Sequence, residues 1–147
     1  MRIIGGEWRG RALSPVGKGA PADHLRPTSD RVRENLFNVI QHGRIGIQLD
    51  GTRVLDLFAG TGALGFEALS RGAAQAMFIE QGRAASQIIA ANISLLKAQD
   101  RATHLTRDAE HLGDNLGPGF DLIFLDPPYG KFMGLSLIHI SEPTRPY

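Results

Sequence analysis

Val54-Leu55-Asp56-Leu57-Phe58-Ala59-Gly60-Thr61-Gly62-Ala63-Leu64-Gly65 runs from one apolar stretch through a glycine turn into another. Residues 53–58 have the length and composition of a strand buried on both faces. Residues 60–62 form a tight turn, and 63–71 form a helix that stops at Gly72. Outward from this unit the pattern continues. Strands are predicted at 76–80, 102–107 and 120–126, with helices at 83–97 and 109–116. Ile88, Ile89, Ile93 and Leu96 form the apolar face of the 83–97 helix. Strands alternating with helices predict an α/β fold whose parallel sheet is covered on both faces. Upstream, residues 2–13 suggest a hairpin around Gly5-Gly6, with Trp8 and Leu13 available to cover a neighbour. Residues 14–27, rich in Pro, Gly and Ala, make a loop. Thr28 and Ser29 can cap a helix with the stripe Val32, Leu36, Phe37 and Ile40, which Gly43 ends.

A glycine turn between strand and helix lets the backbone approach a ligand, because no side chain intervenes. Gly60, Gly62 and Gly65 also spell the dinucleotide fingerprint, and Glu80 stands where an acid could take ribose hydroxyls. A nicotinamide dehydrogenase is therefore a competing expectation, and a turn that serves packing alone is a third. Asp56 weighs against the dinucleotide. It sits in the strand just before the turn, where its carboxylate would repel a pyrophosphate. It would suit a ligand bearing an ammonium group.

The strand ending at Asp126 leads into Pro127-Pro128-Tyr129-Gly130. Ligands of open parallel sheets bind beyond the carboxyl ends of the strands. This motif therefore belongs on the rim that also carries Gly60, Glu80 and Asp108. An exocyclic amino nitrogen of a base is a poor nucleophile, its lone pair being delocalised into the ring. The Asp126 carboxylate and the Pro127 carbonyl can accept its two N–H groups and favour the developing tetrahedral geometry. The prolines stiffen the turn, and Tyr129 offers a flat face on which an extruded base can stack. The bland alternative is a proline turn that merely stops a strand.

Together these residues resemble the class I S-adenosylmethionine-dependent methyltransferases. Within them the chain is similar to the bacterial small-subunit (16S) ribosomal RNA guanine-N2 methyltransferases. The resemblance runs from about Met1 to Lys131. It takes in Arg2-Ile3-Ile4-Gly5-Gly6 with Trp8-Arg9-Gly10-Arg11, the stretch Arg26-Pro27-Thr28-Ser29-Asp30-Arg31-Val32-Arg33-Glu34-Asn35-Leu36-Phe37-Asn38, the Asp56–Gly65 turn and the Asp-Pro-Pro-Tyr motif. The resemblance implies a Rossmann-like sheet of seven strands in the order 3-2-1-4-5-7-6, of which about four are present here. It implies S-adenosyl-L-methionine as cofactor, with Asp56, Phe58, Ala59, Gly60 and Gly62 at its methionine end. Glu80 would bind its ribose, with Asp108 and Ala109 by the adenine. Asp126, Pro127, Pro128 and Tyr129 would hold the guanine amino group. The expected partner is 16S ribosomal RNA in the assembling small subunit, with Arg9, Arg11 and Arg26 as RNA contacts. The full-length protein is expected to be a cytoplasmic monomer that needs no metal. Amino methylation of another base, in DNA or RNA, is the alternative within the same chemistry.

Residues 1–44 thus read as an N-terminal hairpin, basic loop and helix, and 45–133 as the first half of a cofactor-binding core. Residues 134–147 have no place in the pattern and look like translated sequencing-adapter DNA. Without a fifth strand, Leu122-Ile123-Phe124-Leu125 is expected to form an open apolar sheet edge. The segment would then aggregate and be inactive by itself, a cofactor- or RNA-binding fragment without turnover.

Composition is compatible with all of this. Of 147 residues 42% are hydrophobic and 21% charged, with no cysteine and a net charge of +1. That excludes disulfides and thiolate metal sites. No apolar run approaches the ~20 residues of a membrane span, and no signal-peptide core opens the chain. Cationic side chains crowd the first 33 residues, which suggests contact with phosphates. His24, His42, His104, His111 and His139 show no metal-ligand spacing and are expected at the surface or in packing. Met77 and Phe78 are assigned to a core strand, and Glu67 to a solvated helix face.

Overall fold

The computed structural model describes residues 1–15, 28–44, 46–114 and 117–127. The elements are α1 (Asp30–His42), β1 (Arg53–Leu57), α2 (Ala63–Ser70), β2 (Gln75–Ile79), α3 (Arg83–Leu95), β3 (Ala102–Leu105) and β4 (Leu122–Leu125). The strands form one parallel sheet in the order β3-β2-β1-β4. This is the Rossmann-like architecture expected.

Register explains why the strands are apolar on both sides. Val54 and Asp56 align with Ala76 and Phe78 on one neighbour and with Leu122 and Phe124 on the other. This face packs against α1, α2 and α3 through Phe37, Phe66, Leu69 and Ile89. The opposite face, with Leu55, Leu57 and Ile79, packs against Ala109 and Leu112. Burying both faces removes the polar alternation of a one-sided sheet.

The local signals mostly hold. Ser29 caps α1, its side chain accepting from the Val32 amide, and Gly43 follows the last turn. Phe37 is fully buried, but Val32 is 55% exposed. The buried stripe of α1 passes through Arg33 instead. The N-terminal segment is a hairpin in outline, with a single antiparallel bridge, Arg2 to Ala12. The Ile3 amide donates to the Arg11 carbonyl and the Leu13 amide to the Met1 carbonyl.

Of residues 109–116, expected to be helical, 109 and 110 form a turn and 111–114 are irregular, while 115 and 116 lie outside the described residues. The Asp108 carboxylate takes the Glu110 amide, and Gly113 has a φ of +76°. Side-chain capture of a backbone amide competes with helix formation, and a left-handed residue ends it.

Glu67 overturns the expectation of a solvated face, for it is fully buried. Its carboxylate accepts from the Ile4 and Gly5 amides at 3.0 and 2.9 Å. It pairs with Arg33 Nε at 3.2 Å and Arg71 Nε at 2.8 Å. Arg33, almost wholly buried, also donates to the Thr28 and Arg2 carbonyls and to Asp30. Two cations and two amides compensate one buried anion, as burial requires. The cluster pins the hairpin and α1 onto α2.

Candidate active site

β1 hands over to α2 through a strained turn. Phe58 has a φ of +53°, Gly60 of +57° and Gly62 of +83°. The left-handed region costs a non-glycine residue ~1–2 kcal/mol, so Phe58 holds strain where the chain leaves the sheet. Gly62 and Gly65 answer to packing. A Cβ at Gly62 would stand 2.6 Å from the Phe66 ring, and one at Gly65 would collide with Phe78. Those two rings pack 4.6 Å apart between α2 and β2. The packing explanation therefore accounts for two of the three glycines of the fingerprint.

Glu80 follows β2 and ties two turns together. Its Oε1 accepts the Gly60 amide at 2.9 Å and its Oε2 the Gly82 amide at 2.8 Å. The Ala59 amide donates to the Ile79 carbonyl. Asp56 is buried within the sheet and accepts the Gly65 amide at 3.1 Å. Burial pushes its carboxyl well above the ordinary value of 3.8. The Gly65 amide offsets part of this, and the charges of Asp126 and Glu80 add to it. Among the described residues no salt bridge reaches Asp56.

The buried acid has a consequence for stability. A folded pKa above the unfolded one favours folding below 3.8, and that contribution is lost as pH rises through the raised value. Asp56→Asn, which keeps an acceptor for Gly65, is expected to melt higher than the native chain at pH 8. The gap should shrink toward pH 4. Thermal melts across that range check it, and a variant that melts lower at pH 8 would contradict it.

Asp108 lies beyond β3. The Glu110 amide on Oδ1, and then His111 Nδ1 at 3.0 Å from Oδ2, hold its carboxyl below the usual value. Ala109 beside it is buried against β1 and β2. Asp126 and Pro127 follow β4. Leu57 and Leu125 are register partners, so Phe58 and Asp126 leave the sheet side by side. Asp56, Phe58, Ala59, Gly60, Gly62, Glu80, Asp108, Asp126 and Pro127 thus all belong to the carboxyl-end rim.

The family model described as Conserved hypothetical protein 95 matches residues 1–140. The chain belongs to this family. The chain is similar to Ribosomal RNA small subunit methyltransferase D of Escherichia coli strain K12, 43% identical over 142 residues. That alignment covers 97% of this chain and 67% of the relative, so the chain spans about two thirds of the relative's length. The solved structure of the Escherichia coli protein yhhF has a TM-score of 0.77 at 40% identity, covering 94% of this chain and 69% of that one. The C-terminal domain of precorrin-6Y C5,15-methyltransferase from Rhodobacter capsulatus has a TM-score of 0.60 at 20% identity, covers 82% of this chain and 61% of that one, and shares the fold alone.

Not every expected residue of this Conserved hypothetical protein 95 member gathers at the rim. Arg9 and Arg11 lie on the N-terminal hairpin, which packs on α2 and α3. The hairpin tip meets the end of α2, where Ser70 takes the Glu7 and Trp8 amides, and Arg11 donates to the carbonyl of Leu95 at the end of α3. Arg26, Pro128 and Tyr129 fall outside the described residues. Among the described residues no group of histidines and acids could hold a metal, and no helix is long and apolar enough to cross a membrane. Asn92, which no sequence motif marks, is buried on α3 and bonded to the glycine turn.

Proposed function

We propose that this chain is the core of an enzyme that transfers a methyl group from S-adenosyl-L-methionine to the exocyclic N2 amino group of a guanine. The substrate is 16S ribosomal RNA in the assembling small subunit, in the cytoplasm. The observation that carries the reading is the pairing of β1 with β4. It brings the strained turn after Asp56 beside Asp126 and Pro127.

The donor set fits that cofactor. The charges of Glu80 and Asp126 both reach Asp56 and, after its burial, help to raise its carboxyl. Such a rim repels a pyrophosphate and attracts an ammonium or sulfonium. Each Glu80 oxygen holds one backbone amide and keeps a lone pair for a ribose hydroxyl. Asp108 would face the adenine edge. When bound, the cofactor supplies an electrophilic methyl group. The Asp126 carboxylate and the Pro127 carbonyl accept the two amino N–H groups and orient the nitrogen lone pair. Asp126 is exposed at the rim, so the proton shed by the amine passes from its carboxylate to water. Tyr129 would stack on the base. Positioning and electrostatics supply the rate. The name of the Escherichia coli relative supports ribosomal RNA as the substrate class.

The test, on the full-length enzyme that contains this core, is calorimetric titration with S-adenosylhomocysteine and with NAD, followed by methyl transfer to unmodified small subunits and to duplex DNA. Binding of S-adenosylhomocysteine alone, with transfer to small subunits, is expected. Binding of NAD alone would overturn the cofactor, and transfer to DNA alone would overturn the substrate.

A further inference from the structure

Asn92 stands apart from every motif considered so far. It lies on α3 and is fully buried. A buried primary amide is costly unless its donors and its acceptor are both used. Here Oδ1 accepts the Ser14 amide at 2.7 Å, and Nδ2 donates to the Thr61 carbonyl at 3.4 Å. The partners fix which end is which, since a backbone N–H only donates and a carbonyl only accepts.

Thr61 is the middle residue of the strained turn, between Gly60 and Gly62. Glycines carry no side chain that could wedge a turn in place, so its path depends on hydrogen bonds to its backbone. Glu80 holds the Gly60 amide, and Asn92 holds the Thr61 carbonyl. The two ends of the N-terminal hairpin converge on the same place. Met1 Sδ lies 3.7 Å from Thr61 Oγ1, and the Leu13 amide, one residue before Ser14, donates to the Met1 carbonyl.

We propose that Asn92 is a positioning residue that fixes the Thr61 peptide and so sets the path of the turn that meets the amino-acid end of the cofactor. The proposal rests on the cofactor reading above. Asn92 touches no ligand itself and acts through the turn.

Two ligands separate this role from a purely structural one. S-adenosylhomocysteine carries the amino-acid end, whereas adenosine carries only the ribose and base that Glu80 and Asp108 would serve. Calorimetry on the full chain and on Asn92→Leu, a variant of similar size, is expected to give about tenfold weaker binding of S-adenosylhomocysteine, the scale of one lost hydrogen bond. Adenosine affinity should stay within about twofold. Equal weakening of both ligands would mean a general loosening of the fold, and unchanged binding of both would mean a turn indifferent to Asn92. Either result overturns the proposal. If Asn92→Leu does not melt cooperatively, Asn92→Asp keeps the shape and the acceptor for Ser14 but loses the amide donor, and the same criteria apply to it. A native chain that binds no S-adenosylhomocysteine would overturn the cofactor reading, and this proposal with it, before any variant is made.

Discussion

Glu67→Ala is expected to lose about 3–5 kcal/mol of folding stability, the usual cost of stranding a buried charge. Arg33 is 1% exposed and, among the described residues, would keep only Asp30 as a counter-ion. The Ile4 and Gly5 amides would lose their acceptor, each a further buried or half-buried donor without a partner. A domain of this size has a total stability of about 5–15 kcal/mol, so the variant should be partly unfolded at room temperature. Glu67→Gln keeps the shape and an acceptor but not the charge, and should fall between the two. Urea denaturation followed by circular dichroism measures both. A loss below about 1 kcal/mol for Glu67→Ala would mean that the cluster does not hold the hairpin and α1 in place.

In the full-length enzyme that contains this core, Asp126→Ala is expected to lower methyl transfer by about 10²–10³-fold, the range for removing one group aimed at a developing charge. Cofactor binding should be preserved or slightly changed, because Asp126 is exposed beyond β4 while Asp56 and Glu80 hold the turn. Loss of the Asp126 charge also removes one of the influences that raise the Asp56 carboxyl, so that acid should ionise more readily in the variant. Transfer is measured on unmodified small subunits, and binding by titration with S-adenosylhomocysteine. Transfer retained within about tenfold would remove Asp126 from the reaction, whereas lost binding would reassign it to the cofactor.

The alternation of strand and helix was legible because β1, β2 and β4 are mostly apolar on both faces, although β3 carries Thr103 and His104. The rim followed from that alternation, since the parallel order puts the ends of β1, β2, β3 and β4 on one side. What failed was local and polar. Residues 109–114 have helix-forming content, but Asp108 and Gly113 override it. Val32 satisfies the helical spacing of α1 yet faces outward, while the charged Arg33 faces in. Glu67 carried a signal that periodicity does not weigh. It is the lone acid in an otherwise apolar or small-residue helix, Ala63–Ser70, with Arg71 four residues on. A carboxylate in such company is either functional or ion-paired, and here it is ion-paired. Asn92 carried no comparable signal, because a single amide on an apolar helix face reveals a partner only when the fold brings one.

The attachments of the N-terminal hairpin reach far along the chain: Gly5 to Glu67, Ser14 to Asn92, Arg11 to Leu95 and Glu7 to Arg101. During synthesis the first fifteen residues leave the ribosome before any of these partners exists. The hairpin, with one bridge of its own, cannot be stable until α2 has formed, and its last tie waits for Arg101. Contacts of such high sequence separation slow folding, and a segment that docks last is open to chaperones and proteases in the interval. The first motif translated is therefore among the last to find its place.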